Sequence, residues 1–481
     1  MPRFQIPNVE KRQWRGVLPG EDFGEIYAAR GIELQRNRGK IGLADSYTSI
    51  QDSSQGGFSN LTTLVAFVRS SADNTDRWWA NGGRLFKTSG TNPETGWAED
   101  AIATTPSAPL YDLIDFAGAL ICPISTDLSR LSAGTWTASW WQGTLAQAAL
   151  TANPHRFAIL AGALLITDGR LIQIYDGTIV KTAQTLPVGF RAEFILIFGE
   201  LAFVGGAQIG GGEAFVYVIQ EGSNANTYLA KYPVGDTEVL CGWVADSVYI
   251  VTKKGMIKRF NGVGFAAIEL GNGMFVQFPT VEAQGQIDSI HPNGVSVTEN
   301  IAKMLVNFGA ISNIRLSSGF WNFDMATKNL YNAGSVRNTT TRDYAQYEFP
   351  TASPPNVGAL KQTVVTQGLY LAGAQVYTAY AGTTRYGIFS SDEDSTSNQG
   401  YFITAKLRSA NIRRLWRFIF PTMRRFDNAD DRLRIAMRFQ DSNVLPAYET
   451  ITWTAANTFT ATNANIAAGD FVEVITGENA G

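Results

Sequence analysis

The chain has 481 residues, 45% of them apolar and only 17% charged, with 47 glycines and a net charge of −3. That composition excludes a disordered chain, and the charge excludes a protein that binds nucleic acid through its overall field. Two cysteines, Cys122 and Cys241, lie far apart and without a Cys-x-x-Cys partner, which excludes a zinc or dithiol motif and predicts two buried free thiols.

In chain order, the start "MPRFQIPNVEKRQWRG" is polar and has no apolar core of the secretory type. Residues 1–23 read as an extended arm, and 24–50 give two predicted strands placed to complete the last sheet of a closed ring. The longest apolar run, "FAILAGALLI" at 157–166, is too short for a membrane-spanning helix.

From residue 81 one phrase recurs: a short alternating strand joined to a turn of Gly, Asn, Asp or Ser. It appears as "NGGRLFKTSG" (81–90), "LSRLSAGTWTASW" (128–140), "GRLIQIYDGTIV" (169–180) and "EAFVYVIQEGSN" (213–224). It continues as "KGMIKRFNGVGFAAI" (254–268), "SGFWNFDMATKNLY" (318–331) and "RYGIFSSDED" (385–394). The early spacings are about 40–46 residues and the last two about 65, the period of a four-stranded blade with variable loops. Seven phrases predict an all-β chain built as a β-propeller of about seven blades. "DGRLIQIYDG" (168–177) is then an inner-to-middle strand of one of them.

Four upstream stretches read strand, tight turn, strand: 109–124, 155–169, 191–206 and 238–255. Their turns fall at Phe116-Ala117-Gly118, Leu160-Ala161-Gly162, Phe198-Gly199-Glu200 and Val244-Ala245-Asp246. Their strands are apolar on both faces, as expected between neighbouring blades. The one weak helix signal is "GTLAQAALTAN" (143–153).

Beyond 405 the pattern changes to longer strands, "NIRRLWRFIFPTMRRF" (411–426) and "DRLRIAMRFQDS" (431–442), then a Thr- and Asn-rich segment ending in "DFVEVITG" (470–477). The predicted organisation is an N-terminal arm and first strands at 1–55, a propeller at 56–405 and an antiparallel β extension at 406–481. The final strand reads as lacking its partner, so either another chain supplies it or the polypeptide continues past Gly481.

Catalytic signals are sparse. His155 and His291 sit beside turns or proline, without ligand spacing, and read as turn-lining or solvated. "GGAQIGGGE" (205–213) lacks the Lys-Ser/Thr of a phosphate cradle, and "SSDEDSTSN" (390–398) reads as an exposed acidic loop. The Gly-x-Trp turns "SGTNPETGW" (89–97) and "LSAGTWT" (131–137) echo a sialidase turn but lack its Asp. No catalytic, cofactor-binding or metal-ligating residue is assigned, and the chain is read as a non-enzyme. The marked charge feature is an Arg-rich strand pair. Arg413, Arg414, Arg417, Arg424 and Arg425, interleaved with Trp416 and Phe418, are candidates for contact with a protein partner or nucleic acid.

The blade phrases "GRLIQIYDG" and "GFWNFDMATKNLY", the long late linkers and the tail "TWTAANTFTATNANIAAGDFVEVITGENAG" (452–481) resemble the β-propeller tail proteins of tailed bacteriophages. Among those the likeness is to the nozzle-like tubular proteins of short-tailed phages, which are larger and carry more domains. The resemblance implies a virion structural protein, in the tail nozzle or head–tail connection, made in the host cytoplasm and assembled as a ring of subunits. It implies a homo-oligomer, other tail proteins as partners, and a transient contact with phage DNA, without membrane insertion. The alternative is a propeller that binds a glycan or host surface, of sialidase type, including a hydrolase.

Overall fold

A computed structural model describes residues 112–124, 126–151, 155–220, 228–271, 273–280, 285–290, 292–298, 300–306, 308, 316 and 319–334. It also describes segments 26–30, 32–33, 42–43, 45–52, 64–73, 75–80, 84–88, 97–100, 356–363, 375–381, 386–396, 401–404, 434–435, 449–455 and 458–461. The chain divides into two compact units, Met1–Lys406 and Leu407–Gly481.

In the first unit the described strands form seven four-stranded antiparallel sheets, a β-propeller. Blade 1 is Leu64–Ser70, Thr75–Ala80, Arg84–Thr88 and Trp97–Glu99. Blade 2 is Ile114–Phe116, Ala119–Ile124, Asp127–Ser132 and Thr135–Thr137. Blade 3 is Phe157–Leu160, Ala163–Asp168, Leu171–Tyr175 and Val180–Thr185. Blade 4 is Phe190–Phe198, Leu201–Gln208, Phe215–Gln220 and Ala230–Pro233. Blade 5 is Val239–Val244, Val248–Thr252, Ile257–Phe260 and Phe265–Ala267. Blade 6 is Val295–Thr298, Ile301–Val306, Gly319–Asp324 and Asn329–Gly334. Blade 7 is Asn356–Thr363, Gln375–Ala381 and Tyr386–Thr396, completed by Asp45–Asp52 from the N-terminal region.

The first strand of each blade packs beside the first strand of the next, and blade 7 returns to blade 1. Seven inner strands therefore surround one axis. The recurring sequence phrase maps to the third strand of every blade. The strand inside "DGRLIQIYDG" thus lies third from the axis, one place further out than the sequence suggested. The first two strands are the more apolar ones, and their hairpins are the upstream stretches of the sequence reading.

The core is a series of layers between blades. On the second strand of blade 2, Leu120 and Cys122 join a cluster with Leu85 of blade 1, while Ile121 joins one with Phe157 and Leu164 of blade 3. Blade 3 repeats this: Leu164 and Ile166 face blade 2 and Leu165 faces blade 4. In blade 5, Val248 and Ile250 face blade 4 whereas Tyr249 and Val251 face blade 6. Side chains alternate across a strand, so a strand wedged between two blades is apolar at every position. Each Leu, Ile or Phe buried this way contributes about 1.5–3 kcal/mol.

The tight turns follow from the same logic. Ala117-Gly118, Ala133-Gly134 and Ala161-Gly162 each place both residues at positive φ, between 48° and 80°. Two consecutive positive values give the hairpin turn whose twist matches the flanking strands.

Three further sequence expectations change. Of the segment 143–153, the described residues up to Thr151 hold no helix beyond Gly143 and Thr144: a single π-helical turn spans Trp140–Thr144, held because Asp127 Oδ1 accepts from the amides of Trp141 and Gln142 at 3.1 and 3.0 Å. The acidic segment 390–398 is not a loop up to Thr396. Backbone pairing with Asp45–Asp52 draws it into a strand, with register shifts at Ile388/Phe389 and Asp392/Thr396, overriding the poor strand propensity of aspartate. The two N-terminal strands also part company. Asp45–Asp52 joins blade 7, while Ile26–Arg30 pairs with Tyr401–Thr404 in a separate two-stranded sheet.

In the second unit, Arg434–Ile435, Glu449–Ala455 and Thr458–Ala461 form an antiparallel sheet in chain order. The arm at 1–23, the strand reading of 411–426 and the final strand 470–477 lie outside the described residues.

Candidate functional site at the propeller axis

The inner strands all start at one mouth of the axis, and polar side chains gather there. Asp112 and Asn293 stand two residues before the inner strands of blades 2 and 6. Arg156 and Glu238 stand one residue before those of blades 3 and 5. In blade 4 the equivalent groups, Arg191 and Glu193, lie within the strand.

Blade 4 differs because its inner strand bulges. Ala192 pairs with Gly206 but the next pair is Phe194 with Gly205, leaving Glu193 unpaired in the ladder. A bulge re-aims a side chain and bends its strand. This one requires glycine opposite: a Cβ on Gly206 would collide with the Arg191 carbonyl, and one on Gly205 with the Phe194 ring. The Ala192 amide, meanwhile, donates to Gly169 O at the turn of blade 3, at 2.9 Å.

Asp112 is buried. Its Oδ1 accepts from the Leu113 amide at 2.9 Å and from Asn293 Nδ2 at 2.9 Å, and its Oδ2 accepts from the Phe157 amide at 3.0 Å. Burial pushes its pKa above the ordinary aspartate value, against the opposing pull of Arg156 and these three donors. Arg156 is also buried. Its amide donates to Thr167 Oγ1 at 2.8 Å and its Nε to Glu193 O at 2.9 Å. Glu193 pairs with Arg191. Its pKa is likewise raised, by burial first, while Arg191 and Arg156 pull it down and Glu238 adds to the rise. Lys253 Nζ lies 3.6 Å from Glu238 Oε2 and donates to Asp288 O at 2.8 Å. Three cations and three carboxylates thus cluster at this end of blades 2 to 5. Buried groups with perturbed pKa values in one cluster mark a functional-site candidate.

Of the two readings of His155, turn-lining or solvated, the solvated one does not hold. His155 is buried, with Nδ1 3.0 Å from Thr167 O and 3.9 Å from Asp168 Oδ1. Asp168 in turn accepts from the Thr151 amide at 2.7 Å, tying the connection from blade 2 to the second strand of blade 3. His291 lies outside the described residues. Both cysteines are buried free thiols, as expected. The Gly-rich run 205–213 serves the bulge and the turn after it, where Gly210, Gly211 and Gly212 have positive φ. Among the described residues no group of three His, Cys, Asp or Glu side chains is placed to hold a metal ion.

The Arg413, Arg414, Arg417, Arg424 and Arg425 set lies outside the described residues, and the axial cluster was not singled out from the sequence. Its signal was there: a charged residue stands directly before the apolar run in "DLIDF", "RFAIL" and "EVLCGWV". Only the blade alignment shows that these positions are equivalent.

No family model and no curated protein matches the chain. Among solved structures it is similar to Raptor of Chaetomium thermophilum, at 12% identity and a TM-score of 0.47, over 73% of this chain and 30% of that one. It is similar to the WD40 domain of Neurospora crassa Pan2, at 8% identity and TM-score 0.46, over 73% and 98% of the two chains. A third is BBS1N, solved in complex with ARL6DN, at 13% identity and TM-score 0.43, over 74% and 99%. The chain spans less than half the length of the Raptor structure. None of the three is a phage protein. The class that the strand order itself defines is the seven-bladed β-propeller.

Proposed function

We propose that this chain is a non-catalytic structural subunit of a tailed-bacteriophage virion, part of the tail nozzle or head–tail connection, assembled as a ring of copies. The supporting observation is the use made of the axial mouth. A propeller that binds a small ligand presents convergent polar groups to a cavity at such a place. Here both oxygens of Asp112 are engaged by donors from blades 2, 3 and 6, and Glu193 is engaged by Arg191. The mouth holds blades together, which suits a rigid scaffold. The phage assignment comes from the sequence resemblance, and the partners it implies are copies of this chain, other tail proteins and, transiently, DNA. Among the described residues no helix is long and apolar enough to cross a membrane.

The test is a reconstruction of purified particles, with the native chain sized in solution alongside. A ring of copies with this propeller fitted into tail density is the expected result. A monomeric chain absent from particles overturns it. Glycan hydrolysis abolished by one carboxylate substitution would move the protein to the alternative class.

A further inference from the structure

Asp112 joins three blades, and two of them are not neighbours. Leu113 belongs to its own blade, Phe157 opens blade 3, and Asn293, 181 residues away in the chain, precedes blade 6. Blades 2 and 6 are separated by others in both directions around the ring, so the Asn293 contact crosses the axis. We propose that the Asp112 carboxylate is a pH-sensitive brace across the propeller axis: ionised, it holds the start of blade 6 to blades 2 and 3, and protonated, it releases them.

The chemistry follows from acceptor capacity. An ionised carboxylate only accepts, and its two oxygens serve all three donors. Protonation turns one oxygen into an O–H donor, which then opposes an N–H donor where it once accepted. Charge assistance is lost at the other oxygen as well.

Among the described residues, the charged group that faces Asp112 is Arg156, from the start of blade 3; Asn293 from blade 6 and the two amides are neutral. Arg156 is shared with Glu193, which in turn meets Arg191 and feels Glu238. Burial outweighs these partners, so proton uptake begins above the ordinary value of 3.8. The sign matters. The native state takes this proton more readily than the unfolded chain, so this step does not lower global stability as pH falls through it. In the opened form Asp112 stays buried and loses only donors that pull its pKa down, so that form binds the proton more readily still, and the brace opens locally while the propeller stays folded. It holds for this chain whether or not it is a virion subunit.

The experiment is hydrogen exchange on the full chain across pH, read as protection factors at the Phe157 and Leu113 amides. Urea unfolding is followed in the same buffers. Protection at Phe157 is expected to fall at least about tenfold on acidification, the scale of one charge-assisted hydrogen bond. The urea midpoint should hold or rise as this site titrates. Asp112→Asn is expected to remove the pH step. Asn293→Ala takes away a donor that favours the ionised form, so it should move the step to higher pH, and it serves if Asp112→Asn does not fold. Flat protection in the native chain, an unchanged step in Asp112→Asn, or no upward move in Asn293→Ala would overturn the brace.

Discussion

Glu193 shows how one residue position is made by backbone rather than by side-chain choice. The bulge that leaves it unpaired depends on Gly205 and Gly206 across the ladder. Gly206→Ala places a methyl against the Arg191 carbonyl, and a loss of about 3 kcal/mol or more is expected from urea unfolding. Glu193 itself carries a pH signature. Its folded-state pKa is raised above 4.5, so its ionised form weakens the fold at neutral pH, and that penalty disappears as pH falls through the raised value. Glu193→Gln should therefore raise the unfolding midpoint at neutral pH, with the gain shrinking as pH falls toward 4.5. An equal gain at both pH values would contradict this assignment. The thiols are a simpler case: burial pushes Cys241 well above the usual thiol range, and Cys122 is buried too. Neither should react with an alkylating reagent until the chain unfolds.

At the scale of the strand and hairpin, the sequence was most informative where two constraints coincide. A third strand is half-buried and ends in a turn, so "GRLIQIYDG" alternates and is punctuated by Gly, and every such phrase matched a blade. Its distance from the axis was misjudged because periodicity reports burial, not order within a sheet. The far end of the strand Tyr386–Thr396, from residue 390, was read as a loop because its aspartates are poor strand formers. Its partner, Asp45–Asp52, lies too far away in the chain for local pattern to reveal. The axial cluster was illegible for the same reason, since five blades contribute one or two residues each. The hairpins give a direct test. Gly162 and Gly169 have φ of 80° and 62°. Replacing either with Val should cost about 1–3 kcal/mol, mainly from backbone strain, since the space around a Gly162 Cβ is open. The converse is expected at Ala117, Ala133 and Ala161, which carry φ near 50°. Asn tolerates that region better, so each Ala→Asn change should add a few tenths to about 1 kcal/mol, readable as an upward shift in melting temperature.

For the whole molecule, the ring is closed by strand pairing between its two ends. Tyr386–Thr396 takes Asp45–Asp52 as its outer neighbour, which covers an edge that would otherwise be open. Deleting residues 1–52 should leave that edge bare, and aggregation together with a broadened, less cooperative melt is the expected outcome. Ending the chain at Lys406 is a different operation, because the division into two units falls there. A 1–406 fragment should unfold in one cooperative transition, followed by circular dichroism. A fragment without a sharp transition would show that the propeller depends on residues 407–481.

The closing strand also sets a clock on synthesis. Asp45–Asp52 leaves the ribosome early, and its partner follows about 340 residues later. At roughly 5–20 residues per second, the strand waits on the order of 20–70 s before it can pair. Blades 1 to 6 draw their four strands from contiguous stretches and can assemble as they emerge, whereas blade 7 must wait for both ends of the ring. Closure is therefore the last event in folding the propeller. Until it occurs, each nascent chain holds one edge strand and, once blade 7 is made, one vacant edge of matching register, so two chains translated side by side on one message can exchange them.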